Sequence, residues 1–154
     1  MLTVAVLGDP RVGKSSIVAC LRNLPFTEAY EPTVEDSHVV ELGGEFVDIV
    51  DASGDFKGMY VNYYHAANAF ALVCSPDVPQ SYACATHMLN EVGALRGERF
   101  PLVVLVNKAD LHLTPLQPFP RPTFVCSARD GTRVHEAFLH LLNQIHPSKR
   151  CQLM

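Results

Sequence analysis

The stretch GDPRVGKSS, from Gly8 to Ser16, follows directly on the apolar run Leu2 to Leu7 and leads into a segment of helical spacing. That succession narrows the choice of folds more than any other feature of the chain. Gly8, Gly13, Lys14 and Ser15 fit the pattern GxxxxGK[ST], in the strand-to-helix context that the pattern requires. Its glycines let the backbone wrap closely, so that the amides of Arg11, Val12, Gly13 and onward to Ser16 face a phosphate together with the positive end of the next helix. Lys14 reaches the outer phosphates, and Ser15 offers an oxygen to magnesium. The alternative is a glycine turn that merely caps an ordinary helix.

The rest of the chain supplies the sheet that such a loop needs. Apolar runs bounded by turn residues alternate with helical spacing, as in α/β proteins whose strands are buried on both faces. Beyond Leu2 to Leu7, the runs AFALVCS, PLVVLVNK and PTFVCS are strand candidates, and HVVELGGEFVDIVD reads as a β-hairpin turning at Gly43 and Gly44. Helices are expected over Lys14 to Leu24, with Ile17, Val18 and Leu21 on one face, over Pro79 to Arg96, and over Thr132 to His146, with Val134, Phe138 and Leu141 or Leu142 inward. LHLTPLQPFPRP, with prolines at 115, 118, 120 and 122, refuses a helix and is expected as an extended loop.

A chain of 154 residues has room for one well-buried domain and not for two of ordinary size. Its net charge of -4 argues against nucleic acid as a partner, because a phosphate backbone wants a basic face. No apolar run is long enough to span a bilayer, and MLTVAVLG reads as a strand rather than a signal peptide. The five cysteines are odd in number, and Cys20, Cys74, Cys84 and Cys126 are scattered singly without a CxxC pair, which suits reduced thiols in a cytoplasmic protein.

A phosphate loop does not choose a base; NKAD, Asn107 to Asp110, does. It follows PLVVLV, at the carboxyl end of a central strand, where open α/β sheets bind ligands. There Asp110 can accept from two guanine nitrogens that adenine does not present in the same way, while the stem of Lys108 can lie along the ring.

With both motifs in place, the chain resembles the small GTPases of the Ras family over nearly its whole length, most closely in YEPTVEDS, Tyr30 to Ser37. The resemblance implies a Ras-like fold, with a mostly parallel central sheet, one antiparallel edge strand and helices on both faces. It places a G domain over residues 1–146 and a short tail over 147–154. It implies GTP and GDP as ligands with magnesium. Phe26 would pack on guanine; Thr33 would join Ser15 on the metal, with Asp51 acting through water; and the amide of Gly54 would sense the γ-phosphate. Asn107, Lys108, Asp110, Ser127, Ala128 and Arg129 would close around the base. Glu31, Pro32, Thr33, Val34, Glu35, Asp36, Ser37 and His38 would form the surface for effectors, with exchange factors and activators also meeting the switch regions of a monomer. His38 stands where Ras itself usually has tyrosine.

The departures from the family pattern bear on hydrolysis. After Gly54 the family usually has glutamine to orient the attacking water, and this chain has Asp55. A carboxylate is repelled by the γ-phosphate and only accepts hydrogen bonds, whereas an amide both donates and accepts. Pro10 and Arg11 fill space that is usually small; Arg11 reads as a solvated loop residue, with an internal finger over the phosphates as the alternative. Slow GTP hydrolysis involving Lys14, Thr33, Gly54 and Asp55 is therefore expected, against the alternative of a hydrolysis-deficient, nucleotide-loaded scaffold. The hairpin, the segment before AFALVCS and the connection after NKAD are all shorter than in the family, and Leu111, Leu113, Leu116 and Phe119 are candidates to cover the surface that a lost helix would expose. CQLM fits a four-residue prenylation signal on Cys151, preceded by Lys149 and Arg150, which implies weak attachment to the cytoplasmic face of a membrane.

Overall fold

Leu2–Gly8 forms β1, and its side chains alternate between two cores because successive residues of a strand point to opposite faces. Val4 and Val6 enter one apolar cluster; Ala5 and Leu7 enter the other. The same division holds for Ala69–Cys74 (β4) and Leu102–Val106 (β5), both buried along their whole length. Such strands must lie in the interior of a sheet covered on both sides, and they do. The computed structural model describes residues 1–9, 11–23, 35–52, 60–97, 99–108 and 119–147.

Glu35–Leu42 (β2) and Glu45–Ala52 (β3) make the expected hairpin, with Leu42 opposite Glu45. Gly43 and Gly44 lie between them at φ 58° and 80°, and positive φ at both central residues is what the tight two-residue turn demands. Thr123–Val125 is β6. The six strands run in the order β2-β3-β1-β4-β5-β6, and β2 with β3 is antiparallel while every other neighbouring pair is parallel. The expected sheet, mostly parallel with one antiparallel edge strand, is therefore the observed one.

Helices Lys14–Leu21 (α1) and Val134–Ile145 (α4) pack on one face through Ile17, Val18, Leu21, Val134, Phe138 and Leu141. Tyr60–Ala66 (α2) and Gln80–Arg96 (α3) cover the other through Tyr64, Tyr82, Ala85, Met88 and Val92. Two of the expected helices are shorter than their sequence patterns. Instead of reaching Leu24, α1 stops at Leu21, because Arg22 leaves helical geometry and Asn23 adopts φ 60°. α4 starts at Val134 rather than Thr132, because Arg133 stands at φ 62° just before it.

α2 has no counterpart among the expected helices. It is held by α3: Arg96 donates from Nη1 to the carbonyls of Tyr64 and Ala67 at 3.0 and 2.7 Å, and the Tyr64 hydroxyl donates to Glu91 at 3.3 Å. Of the four apolar residues expected to cover the surface near the proline-rich connection, Phe119 packs against the second core and stacks on Tyr82, with ring centroids 5.9 Å apart. Leu111, Leu113 and Leu116 lie outside the described residues.

Candidate functional site

Four strand ends on one side of the sheet supply the site: Gly8 closes β1, Cys74 closes β4, Val106 closes β5, and Cys126 follows β6. The carboxyl ends of parallel strands are where the chain leaves the sheet for loops, and hence where an open α/β sheet binds ligands.

The phosphate loop is closely fitted. A Cβ on Gly8 would stand 2.3 Å from the carbonyl oxygen of Val73, and one on Gly13, at φ 92°, would stand 2.3 Å from Nδ2 of Asn107. Neither approach is possible unless something shifts: at Gly8 the obstacle is backbone, and at Gly13 it is the side chain of Asn107, which is hydrogen-bonded at both its nitrogen and its oxygen. Gly13 also opens α1, where no side chain caps the helix and no acidic residue sits in the first turn. The positive end of α1 thus keeps its field for an incoming anion. Val12 has no exposed surface, Arg11 is exposed, and Ser16 is half-buried. Lys14 is buried, and its ammonium donates to the carbonyls of Gly8 and Asp9 at 2.9 and 3.0 Å, so the loop curls around its charge.

Ser15 lies at the exposed start of α1, and its hydroxyl donates to Oδ2 of Asp51 at 2.6 Å. Asp51, on β3, is 3% exposed. A hydroxyl and a carboxylate are hard oxygen donors of the kind magnesium takes, and their approach fits a magnesium site.

Asn107, 2% exposed just past β5, ties the phosphate loop to the base motifs. Its Nδ2 donates to the carbonyl of Val12 at 2.9 Å, and its Oδ1 accepts from the amide of Ala128 at 3.0 Å. Ser127, 1% exposed, shapes the loop that carries Ala128: its hydroxyl accepts from the amide of Asp130 at 3.2 Å, and its own amide donates to the carbonyl of Thr132 at 3.1 Å. Arg129 is exposed in the same loop. Lys108, at φ 66°, turns its ammonium back to the carbonyl of Arg11 at 2.7 Å and to Oδ2 of Asp77 at 2.9 Å.

Asp77 is a residue that sequence reasoning passed over. It lies in the Ser-Pro-Asp turn after β4, and those residue types read as ordinary turn chemistry. Burial works against its charged form, but hydrogen bonds from Ser75 and Lys108 outweigh that and hold its carboxyl below the usual value.

Pro10, Phe26, Glu31, Pro32, Thr33, Val34, Gly54, Asp55, Asp110 and Cys151 lie outside the described residues, as do the side chains of Glu35 and Asp36. Ser37 and His38 are on β2, the first exposed and hydrogen-bonded to Asp48, the second half-buried. Among the described residues no helix is long and apolar enough to cross a membrane.

A glycine-bound loop between β1 and α1, locked by an asparagine to two later strand ends, defines a nucleotide-binding α/β domain. A sequence model of the Ras family matches residues 3–147. Ras-related protein Ral-B of Rattus norvegicus is 34% identical to the chain, covering 95% of it and 80% of that protein. GTP-binding protein Rheb homolog 1 of Caenorhabditis elegans is 28% identical, covering 95% and 79%, and Ras-like protein rasC of Dictyostelium discoideum is 26% identical, covering 94% and 86%. The chain belongs to the Ras family of small GTPases, which bind GTP and GDP, generally with magnesium, and hydrolyse GTP.

Proposed function

We propose that this protein is a guanine-nucleotide switch that hydrolyses GTP slowly and works at the cytoplasmic face of a membrane. The observation that carries the reading is the Asn107 bridge, which joins the loop suited to phosphates to the loop suited to a base. Lys14 and the loop amides hold the phosphates; Asn107, Lys108, Asp110, Ser127, Ala128 and Arg129 surround guanine, with Phe26 against its ring. Ser15 and Thr33 would hold magnesium directly and Asp51 through water; when bound, the metal neutralises charge on the outer phosphates. Thr33 and the Gly54 amide report whether the γ-phosphate is present, and Glu31 to His38, whose last four residues open the edge strand β2, offers that report to effectors.

Asp55 sets the turnover. The attacking water has to be oriented by a group that accepts from it while tolerating the γ-phosphate, and a carboxylate meets the second condition poorly. A single prenyl chain on Cys151 gives reversible attachment, strengthened by Lys149 and Arg150 near an anionic leaflet.

The experiment is to identify the nucleotide carried by the purified protein and then to follow single-turnover GTP cleavage at saturating magnesium. Bound guanine nucleotide is expected, with cleavage slower than about 10⁻⁴ s⁻¹, the order of intrinsic Ras turnover. Cleavage as fast as in glutamine-bearing relatives would remove the role given to Asp55; a preference for adenine nucleotides would remove the whole reading.

A further inference from the structure

Guanine is neutral, so the charge of Lys108 is not needed for the base, and the structure shows where that charge is used. The ammonium sits between oxygens from two different elements, the carbonyl of Arg11 in the phosphate loop and Oδ2 of Asp77 beyond β4. Asp77 is itself fixed, because its other carboxylate oxygen accepts from the hydroxyl of Ser75, a residue with no exposed surface. Ser75 in turn is clasped by Ser81 of α3: its amide donates to the Ser81 hydroxyl at 2.9 Å, and that hydroxyl donates to its carbonyl at 3.2 Å. The chain of contacts runs from α3 through the end of β4 to the lysine and on to the phosphate loop.

We propose that Asp77 is a positioning residue for nucleotide retention: it pins the Lys108 ammonium against the carbonyl of Arg11, so that the lysine stem is held ready as a wall for the base. The inference rests on the reading of this site as a guanine pocket. A lysine has much rotamer freedom to lose, and a stem already fixed does not lose it again when nucleotide binds. Pinning also joins the base motif to the phosphate loop at a second point, 97 residues apart in sequence and independent of Asn107. Asp77 touches neither base nor phosphate in this scheme; it acts through Lys108.

Release of a fluorescent GDP analogue from the full-length protein in magnesium buffer tests this. Asp77→Ala should speed release about 3–10-fold, the range for one partly exposed charge-assisted hydrogen bond. Asp77→Asn keeps an oxygen for the ammonium and an amide for Ser75, so it should restore most of the retention and also serve if the alanine variant folds poorly. Lys108→Met should speed release by itself, and adding Asp77→Ala to it should change the rate less than about twofold, since residues acting as one unit are not additive. Release at the wild-type rate in Asp77→Ala overturns the proposal. So does an equal acceleration in the Lys108→Met background, which would mean that Asp77 acts through its own turn. In both cases the wild type still loads GDP and the guanine reading stands; a wild type that takes up no labelled GDP overturns both.

Discussion

Replacing Asn107 with alanine should destabilise the protein more than any exposed change near the site. The side chain is 2% exposed and serves two groups that are themselves buried, the carbonyl of Val12 and the amide of Ala128. A buried polar group stripped of its partner costs about 1–3 kcal/mol. A water admitted to the vacated space could serve one of the two, which puts the expected loss at about 2–5 kcal/mol. For a domain of this size each kcal/mol shifts the melting temperature by about 2–4 °C, so a fall of roughly 4–20 °C is expected. Thermal unfolding by circular dichroism should be compared at one protein and one GDP concentration, because bound ligand raises the melting temperature by itself. Asn107→Asp should be no better than alanine, since its carboxylate can still accept from Ala128 but faces the Val12 carbonyl with no proton to give. A fall of less than about 2 °C in the alanine variant would refute the claim that this side chain holds the two loops together.

Two further outcomes follow from the packing. Gly13→Ala should cost about 2 kcal/mol or more in urea denaturation, from a backbone at φ 92° and a Cβ driven to 2.3 Å from Asn107; an unchanged midpoint would show that the loop gives way freely. Burial pushes the thiols of Cys74 and Cys126 up to about 12 from the ordinary 9.0. Because the folded values exceed the unfolded ones, the stability gained by keeping these thiols neutral is complete below about pH 8.5 and is lost as pH rises toward 12. Alkaline unfolding between pH 9 and 11 should therefore be shallower in the Cys74→Ala, Cys126→Ala double variant than in the wild type, and equal slopes would count against it.

Strand β1, the phosphate loop and the start of α1 are legible because every determinant is local: an apolar run, glycines at fixed spacing, then a lysine and a serine on a helical face. The hairpin is legible for the same reason, through Gly43 and Gly44. α2 is not, because its seven residues offer too little periodicity, and what holds it is Arg96, about thirty residues away. The ends of α1 and α4 depart from their sequence patterns where Asn23 and Arg133 adopt positive φ, a conformation no residue type other than glycine announces reliably. Within the site, motif spacing located Asn107 and Lys108 but assigned both to the base alone. That their side chains reach back to the phosphate loop depends on β5 and β1 ending side by side around β4, which is a property of sheet order.

The consequence is that holding phosphate and reading the base are not separable tasks in this fold. Val12 and Arg11 each give a backbone carbonyl to a residue of the base motif, and Gly13 leaves room for Asn107 by lacking a Cβ. Had the loops been joined only through bound nucleotide, each would have to be ordered at the moment of binding, at a cost in conformational entropy. Tying them together beforehand lowers that cost and should slow release, because one loop would have to break these bonds to open without the other. The switch proposed above needs that property, since a signal that leaks by dissociation is lost whether or not Asp55 slows the chemistry.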